Sequence, residues 1–324
     1  MNCDCRSEKA PNMTTRTMDA ADPSNFLLKD DATSGKLNGW SLVVAVNDES
    51  VLARTLLASP AIDSRCQLIL QRGFVCAGKA YNSGLAMAQH EVVVFAHQDV
   101  YLPEGWLQDL ERALAQLAEY DANWGVLGAF GVTAPEQREL RGYCYSTGLR
   151  RILGGPFVKP IEAVSLDELV LVVRRSSGLA FDEQLPGFHL YGTDICVQAQ
   201  SKSMRNYIVC AFCIHNSNGL KYYPTDYWRG YLYMRRKWRD RLPLATCCAT
   251  IAKSCRPMFA QVAVDLRKRL FGAPRVGKRD NDIRGLYHRI MGASDPLMAN
   301  SFSAAVTTKA SSEVTPTSYV VKGR

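Results

Sequence analysis

The chain has 324 residues, of which 47% are apolar and 22% charged, with a formal net charge of +8. These values are ordinary for globular proteins and exclude a wholly disordered or collagen-like chain. A chain of this length can bury a sizeable core, in one large α/β domain or two small ones. Both ends are polar with little apolar periodicity, so disorder is expected in residues 1–36 and 294–324.

The location of the protein is predicted from what its sequence lacks. No run has the apolar length of a secretory signal or a membrane span, which favours a cytoplasmic protein. The 11 cysteines are odd in number and scattered, so reduced thiols are expected rather than a disulfide framework.

Positive charge is concentrated near the C-terminus. Between Arg235 and Arg289, 15 Lys and Arg stand against 4 Asp and Glu. A basic helical extension, predicted over residues 240–293, could attract anionic lipid headgroups, nucleic acid or an acidic partner. A solvated basic helix is the more common outcome. We predict peripheral membrane contact through this extension, and we expect no nucleic-acid partner.

Strands and helices alternate in the first part of the folded region. Apolar, β-branched runs predict buried strands at residues 41–46, 67–71 and 91–97, each followed by a helix. This alternation predicts a doubly wound α/β sheet with parallel strands. In such sheets ligands bind beyond the carboxyl ends of the strands. The polar residues at these ends are Asn47, Asp48, Glu49, His97 and Asp99.

The pattern becomes richer in strands after Trp124. Single strands are predicted over residues 124–131, 168–173 and 207–214, with a hairpin over 141–152. A polar, Gly-rich loop over residues 181–192 precedes a helix that begins at Thr193.

Three polar clusters could carry chemistry. His97-Gln98-Asp99 ends the clearest apolar strand, where a carboxylate could hold a divalent cation on a diphosphate, or simply cap the next helix. Asp194 opens a helix, where the helix dipole keeps a carboxylate ionised, which suits an N-cap and a catalytic base equally well. His215 ends another apolar strand and could bind the same metal or be structural.

A phosphate-binding P-loop is the competing interpretation. Residues 73–80, Gly-Phe-Val-Cys-Ala-Gly-Lys-Ala, follow a strand and precede a helix, as a P-loop does. Ala80 lacks the hydroxyl that such a loop offers to magnesium, and the loop follows the second predicted strand. The P-loop interpretation is therefore the weaker one.

At these residues the chain resembles glycosyltransferase family 2 with the GT-A fold, and within it the group named for the streptomycin biosynthesis protein StrF. The resemblance covers about residues 40–217. The motifs that carry it are Val43–Glu49, Lys79–Ala88, Val92–Leu102, Phe188–Asp194 and His215–Ser217. It implies a Rossmann-like α/β fold with a mixed, mainly parallel sheet and a catalytic domain over residues 37–239.

The resemblance also implies roles for single residues. Asp99 would bind Mn²⁺ or Mg²⁺ on the diphosphate, with His215 as a further ligand, and His97 stands where the family usually has the first Asp of its Asp-x-Asp motif. Asp194 matches the general base of inverting members, with Thr193 in place of the usual Glu. The residues assigned to the nucleotide sugar are Asn47, Asp48, Glu49, Lys79, Asn82 and His97, and those assigned to the acceptor loop are His189 and Tyr191.

The predicted function is an inverting, metal-assisted glycosyltransferase. It would move a sugar from a nucleotide-diphosphate donor to a hydroxyl of a saccharide or another acceptor. The alternative is a binding or scaffold module that keeps the fold without turnover. The replacement of the first motif Asp by His97 favours that alternative, whereas the presence of Asp99, Asp194 and His215 opposes it.

Overall fold

The computed structural model describes residues 36–136, 138–272 and 276–293. The disorder predicted for residues 1–36 and 294–324 lies outside this part of the chain, apart from Lys36. Within the described ranges, no helix is both long enough and apolar enough to cross a bilayer.

The main sheet has seven strands and is mixed. Their spatial order is β2 (Cys66–Arg72), β1 (Trp40–Val46), β3 (Val92–His97), β11 (Val170–Arg174), β5 (Val126–Gly128), β12 (Asn206–Ile208) and β9 (Ile161–Ala163). The strand β1 is parallel to β2 and β3, and β5 is parallel to β12. The strand β11 is antiparallel to β3 and β5, and β9 is antiparallel to β12. The predicted α/β class with a mixed sheet is confirmed.

A second sheet packs beside the first. Its strands follow the order β10 (Ser165–Leu166), β6 (Phe130–Ala134), β7 (Glu139–Ser146), β13 (Cys213–His215) and β4 (Val100–Tyr101), and β8 (Arg151–Gly154) pairs with β7. A separate two-stranded sheet joins β14 (Leu244–Ala245) to β15 (Thr250–Ile251).

Seven helices lie in the described residues. They are α1 (Glu49–Arg54), α2 (Ala77–Met87), α3 (Trp106–Tyr120), α4 (Tyr191–Ser201), α5 (Thr225–Lys237), α6 (Arg256–Phe271) and α7 (Ile283–Ala293). Short 3-10 turns occur at Leu56–Ala58, Arg175–Ser177 and Arg239–Arg241. The helix α3 is amphipathic as predicted, because Trp106, Leu110, Leu114 and Leu117 are all buried.

Two of the predicted single strands were wrong. Residues 124–131 divide at Ala129 into β5 and β6, and residues 207–214 divide into β12 and β13, each pair belonging to two different sheets. Ala129 and the residues between β12 and β13 are largely buried, so each apolar run continues through its break. Hydrophobicity therefore gave no signal of where the chain changes sheets.

The basic C-terminal segment folds back onto the second sheet. Ile283 and Ile290 of α7 are buried with Tyr101, Phe212 and Ile214. The backbone of Asp280 is held by the side chain of Asn216, which directly follows β13. This packing brings residues 276–280 to the strand ends where the candidate site lies.

Candidate functional site

The structure brings His97, Asp99 and His215 together. His97 ends β3, Asp99 lies in the turn between β3 and β4, and His215 ends β13. Antiparallel pairing of β13 with β4 sets His215 opposite Val100, and the amide of Asn216 donates to the Asp99 carbonyl at 2.7 Å. One ligand atom from each of the three residues lies within 4.8 Å of the others.

The donor atoms of this cluster fit a divalent metal ion. Two imidazoles and one carboxylate are ligands that Mn²⁺, Fe²⁺ or Zn²⁺ accept readily, whereas Mg²⁺ prefers oxygen ligands. Of the two metals expected from the sequence, Mn²⁺ therefore suits the three side chains better than Mg²⁺.

Asp99 is the electrostatic centre of the cluster. Its Oδ1 lies 3.5 Å from His215 Nε2, and its Oδ2 lies 3.2 Å from Arg279 Nη2. Burial acts to raise the pKa of Asp99, but the hydrogen bond and charge of His215, together with His97 and Arg279, hold it well below its usual range. Burial also acts to lower the pKa of His215, and Asp99 outweighs it and raises that pKa.

His97 is held by a buried tyrosine. Its Nε2 lies 2.7 Å from Tyr191 Oη, and the Tyr191 hydroxyl donates to the Glu168 carbonyl at 3.2 Å. Burial lowers the pKa of His97, so the ring is neutral at neutral pH. In the bond between His97 Nε2 and the Tyr191 hydroxyl either group can be the donor, depending on the tautomer of His97.

A cleft of about 330 Å³ opens beside the cluster, at the carboxyl ends of β1 and β3. Among the described residues that line the cleft, Arg279 is the one with a positively charged side chain. Gln98 joins the two strand ends, because its Oε1 accepts from the amides of Asn47 and Asp48 at 3.0 and 3.1 Å. The other side chains that matter for ligand chemistry are aromatic or polar: Asn47, Gln71, Phe74, Tyr81, His97, Asp99 and Phe188.

Two predicted nucleotide-binding residues at the end of β1 have local partners. Asp48 caps α1, because its Oδ1 accepts from the amide of Val51 at 3.0 Å. Glu49 pairs with Arg72, with Arg72 Nη2 lying 3.2 Å from Glu49 Oε2. Asn47 is the residue of this predicted group that lines the cleft.

Lys79 and Asn82, also assigned to the nucleotide, lie on α2 away from the cleft. Lys79 is exposed and lines a separate pocket together with Asp226. Asn82 holds the loop before α4 through two bonds of 2.9 Å to the backbone of Phe181. Nucleotide binding by Lys79 and Asn82 stays a prediction.

The same region does not form a phosphate cradle. The amide of Ala77 donates to the Gly187 carbonyl at 2.9 Å. A Cβ on Gly78 would lie 2.2 Å from the Asp182 carbonyl oxygen, so the loop packs tightly against residues 182–187. This packing opposes the P-loop interpretation.

Asp194 is buried at the first turn of α4, with 1% of its surface exposed. Lys237 Nζ, Trp238 Nε1 and Gln198 Nε2 donate to its carboxylate, each at a shortest distance of 2.7 Å. It is not among the described residues that line the cleft. Its role as a base stays a prediction.

The predicted acceptor loop divides between two environments. Tyr191 contacts His97 as described above, whereas His189 packs edge-on against Tyr227, with ring centroids 5.9 Å apart. Burial lowers the pKa of His189. Of the two residues, only Tyr191 contacts the cluster of His97, Asp99 and His215. An acceptor-binding role for either residue stays a prediction.

Two residues of interest were missed from the sequence. Arg279 lies in a segment with many Lys and Arg residues, so no local signal distinguished it.

Glu168 was interpreted from the sequence as an ordinary strand residue. In the structure it lies beside Gly192 in the first turn of α4, and a Cβ on that glycine would be 3.2 Å from Glu168 Cγ. Burial and the charge of Asp167 raise the pKa of Glu168 to about 8, against opposing bonds from the backbone of Leu190 and Gly192.

Comparison with known proteins gives limited similarity. No protein-family model matches the chain. A protein of Fuscovulum blasticum described as "ATP synthase subunits region ORF 6" is 32% identical over 122 residues, which is 36% of this chain and 48% of that protein. The chain thus spans about half the length of this curated relative.

Among solved structures, two of S. aureus TarS are similar over 61% of this chain. The structure of TarS 1–349 is 16% identical with a TM-score of 0.39, and 65% of it is covered. A longer TarS structure is 14% identical with a TM-score of 0.41, and 39% of it is covered. A197 from STIV is 12% identical with a TM-score of 0.33, covering 53% of this chain and 82% of that one. Similarities this weak do not decide the activity.

Proposed function

We propose that this chain is an inverting glycosyltransferase that moves a sugar from a nucleoside-diphosphate donor to a hydroxyl of a saccharide or another acceptor. The observation that carries the proposal is the His97, Asp99 and His215 cluster beside a cleft at the carboxyl ends of parallel strands. The reaction class is taken from the resemblance of residues 40–217 to glycosyltransferase family 2.

The cleft offers chemically suitable groups for each part of the donor. Phe74 and Phe188 present aromatic surface on which a nucleobase can stack, and Asn47 and Gln71 present amides for its polar edges. Arg279 offers donors to the diphosphate, because its planar guanidinium matches phosphate geometry.

His97, Asp99 and His215 would hold the divalent cation. When bound, that ion supplies positive charge that stabilises the departing diphosphate. His215, His97 and Arg279 together hold the pKa of Asp99 low, Arg279 contacts its Oδ2, and Tyr191 is hydrogen-bonded to the His97 ring. The protein groups are therefore arranged before any ligand arrives.

The acceptor hydroxyl attacks the anomeric carbon, the bond to the diphosphate oxygen breaks, and a carboxylate takes the hydroxyl proton. Asp194 is the base that the resemblance indicates, although three donors occupy its carboxylate. Glu168 is the second candidate, because its raised pKa of about 8 suits proton transfer near neutral pH, although like Asp194 it is not among the described residues that line the cleft. Both carboxylates belong to the surroundings of the first turn of α4.

Calorimetric titration of the full chain with UDP, GDP and dTDP, with and without Mn²⁺, tests donor and metal binding. We expect one nucleotide to bind in a metal-dependent manner and Asp99→Ala to lose that binding. Asp109→Ala, a partly exposed carboxylate of α3 paired with Arg112, is the matched control and should bind as the wild type does. Absence of binding for all three nucleotides by folded protein would refute the proposal.

Donor hydrolysis, with water as the acceptor, then separates the candidate bases. Sugar nucleotides that carry the nucleobase selected by the titration are incubated with wild type, Asp194→Asn and Glu168→Gln. The variant that loses turnover while it still binds nucleotide and stays folded identifies the base. If wild type binds nucleotide but turns over no donor with water or saccharide acceptors, the binding-module alternative is favoured.

A further inference from the structure

Helix α6 presents a stripe of apolar side chains to solvent. Phe259, Val262, Leu266 and Leu270 are 63%, 38%, 55% and 69% exposed. Their spacing of three and four residues places them on one face of the helix. Phe271, at the end of the helix, is 82% exposed.

A face of α6 that adjoins this stripe attaches the helix to the rest of the protein. Met258 and Asp265 are the buried residues of the helix. Asp265 Oδ2 accepts from the amide of Tyr223 at 3.1 Å, and Met258 packs in the core cluster that contains Tyr227. The attachment fixes the orientation of α6 and leaves the apolar stripe exposed.

Cations border the exposed stripe. Arg256 and Arg267 are exposed and, by helical periodicity, lie along one edge of it. Arg269 lies toward the other edge, with its guanidinium 4.3 Å from the ring centroid of Tyr222. Apart from Asp265, which is buried, α6 carries no acidic residue, so its outer surface is positively charged.

We propose that α6 docks in the plane of an anionic bilayer, with the apolar stripe among the upper acyl chains and the arginines at the headgroups. An apolar stripe bordered by arginines is the pattern of helices that lie in a membrane interface. A second copy of the chain is a poorer occupant, because symmetric pairing of this face would bring Arg256 and Arg267 close to the same cations of the other copy.

Flotation of the full chain with lipid vesicles tests the proposal. We expect binding to phosphatidylcholine vesicles that contain phosphatidylglycerol and little binding to phosphatidylcholine alone. The double variant Leu266→Asn, Leu270→Asn should lower the vesicle-bound to free ratio by roughly tenfold. Arg256→Gln with Arg267→Gln should remove most of the preference for anionic vesicles.

The matched control is Leu149→Asn with Val158→Asn, two apolar residues that are 57% and 80% exposed elsewhere on the surface. It should bind vesicles as the wild type does. The proposal is overturned if folded wild type ignores anionic vesicles or if the control reduces binding as much as the α6 variant.

Size-exclusion chromatography provides a further test. Conversion of a wild-type dimer to a monomer by the α6 leucine variant, without vesicle binding, would instead assign the stripe to contact between copies. Nucleotide titration of the same variants is independent of the lipid assay. A failure of membrane docking is therefore distinguishable from a failure of the proposed glycosyl transfer.

Discussion

Arg279 Nη2 lies 3.2 Å from Asp99 Oδ2, although 180 residues separate the two in the chain. Arg279 Nε also donates to the Asn216 carbonyl at 3.0 Å, so two contacts hold the guanidinium at the wall of the cleft. The C-terminal segment is consequently part of the candidate site and not only a basic appendage.

Replacing Arg279 by Gln should weaken nucleoside-diphosphate binding. The variant loses a charge-assisted donor, and because the side chain is 32% exposed we expect a loss of about 1 kcal/mol, or about fivefold in Kd. Arg279→Lys should recover part of the affinity, since it restores the charge without the planar fork. Calorimetry measures all three proteins, and Arg267→Gln on α6 is the surface control. Unchanged affinity in Arg279→Gln would remove this residue from the site.

Asn216→Ala should loosen the segment that carries Arg279. The side chain is 2% exposed and bonds to the Asp280 carbonyl at 2.9 Å and the Asp280 amide at 2.7 Å. Leaving these groups without partners should lower the free energy of unfolding by about 1–3 kcal/mol. Urea unfolding measures the loss, and limited proteolysis should cut more readily near residues 276–280. Gln108→Ala, on the exposed side of α3, should change neither measurement.

Glu168→Gln should stabilise the protein at alkaline pH. The pKa of Glu168 is raised in the folded state to about 8 from an ordinary value of 4.5, chiefly by burial. A raised pKa means that the folded state binds the proton more tightly, so the wild type loses stability as pH rises from about 4.5 through about 8. Thermal unfolding should show the two proteins diverging over this interval, with an advantage for the variant that grows toward alkaline pH and stays below the roughly 5 kcal/mol that a rise in pKa from 4.5 to about 8 represents. A constant difference at all pH values would contradict the raised pKa.

Lys237→Met should destabilise the contact between α4 and α5. Lys237 Nζ lies 2.6 Å from Asp182 Oδ2 and 2.7 Å from Asp194 Oδ1, and the Asp194 side chain is 1% exposed. Loss of the cation leaves a buried carboxylate without its counter-charge, which should cost about 2–4 kcal/mol. Adding Asp194→Asn should recover part of the loss, because it removes the uncompensated charge. Chemical denaturation measures the wild type and these two variants, and Lys253→Met at an exposed site serves as the control.

Local patterns predicted the regular elements around the site. The run from Glu91 to His97 forms β3 as Val92–His97, and the periodic apolar residues after Pro103 form α3. Both signals are strong because one element is buried on both faces and the other on a single stripe. The polar ends of β1 and β3 were expected to meet a ligand, and Asn47, His97 and Asp99 do line one cleft.

Partners distant in sequence account for what the patterns missed. Asp194 stands in the first turn of a helix, where either a catalytic base or a helix cap is expected. Its carboxylate instead accepts hydrogen bonds from Lys237, the last residue of α5, and from Trp238, which follows that helix. The switch between sheets at Ala129 is invisible because burial continues through it. Neither feature changes the local sequence in a way that periodicity or turn chemistry detects.

The sequence by itself determined the α/β class, the strands β1 and β3, and the polar residues at their carboxyl ends, because side-chain periodicity and burial act over short stretches of chain. Only the tertiary structure decided which of those residues meet. Pairing of β13 with β4 carries His215 to Asp99, and the return of residues 276–280 carries Arg279 to the same carboxylate. Such meetings depend on packing between segments far apart in the chain, which no local pattern encodes.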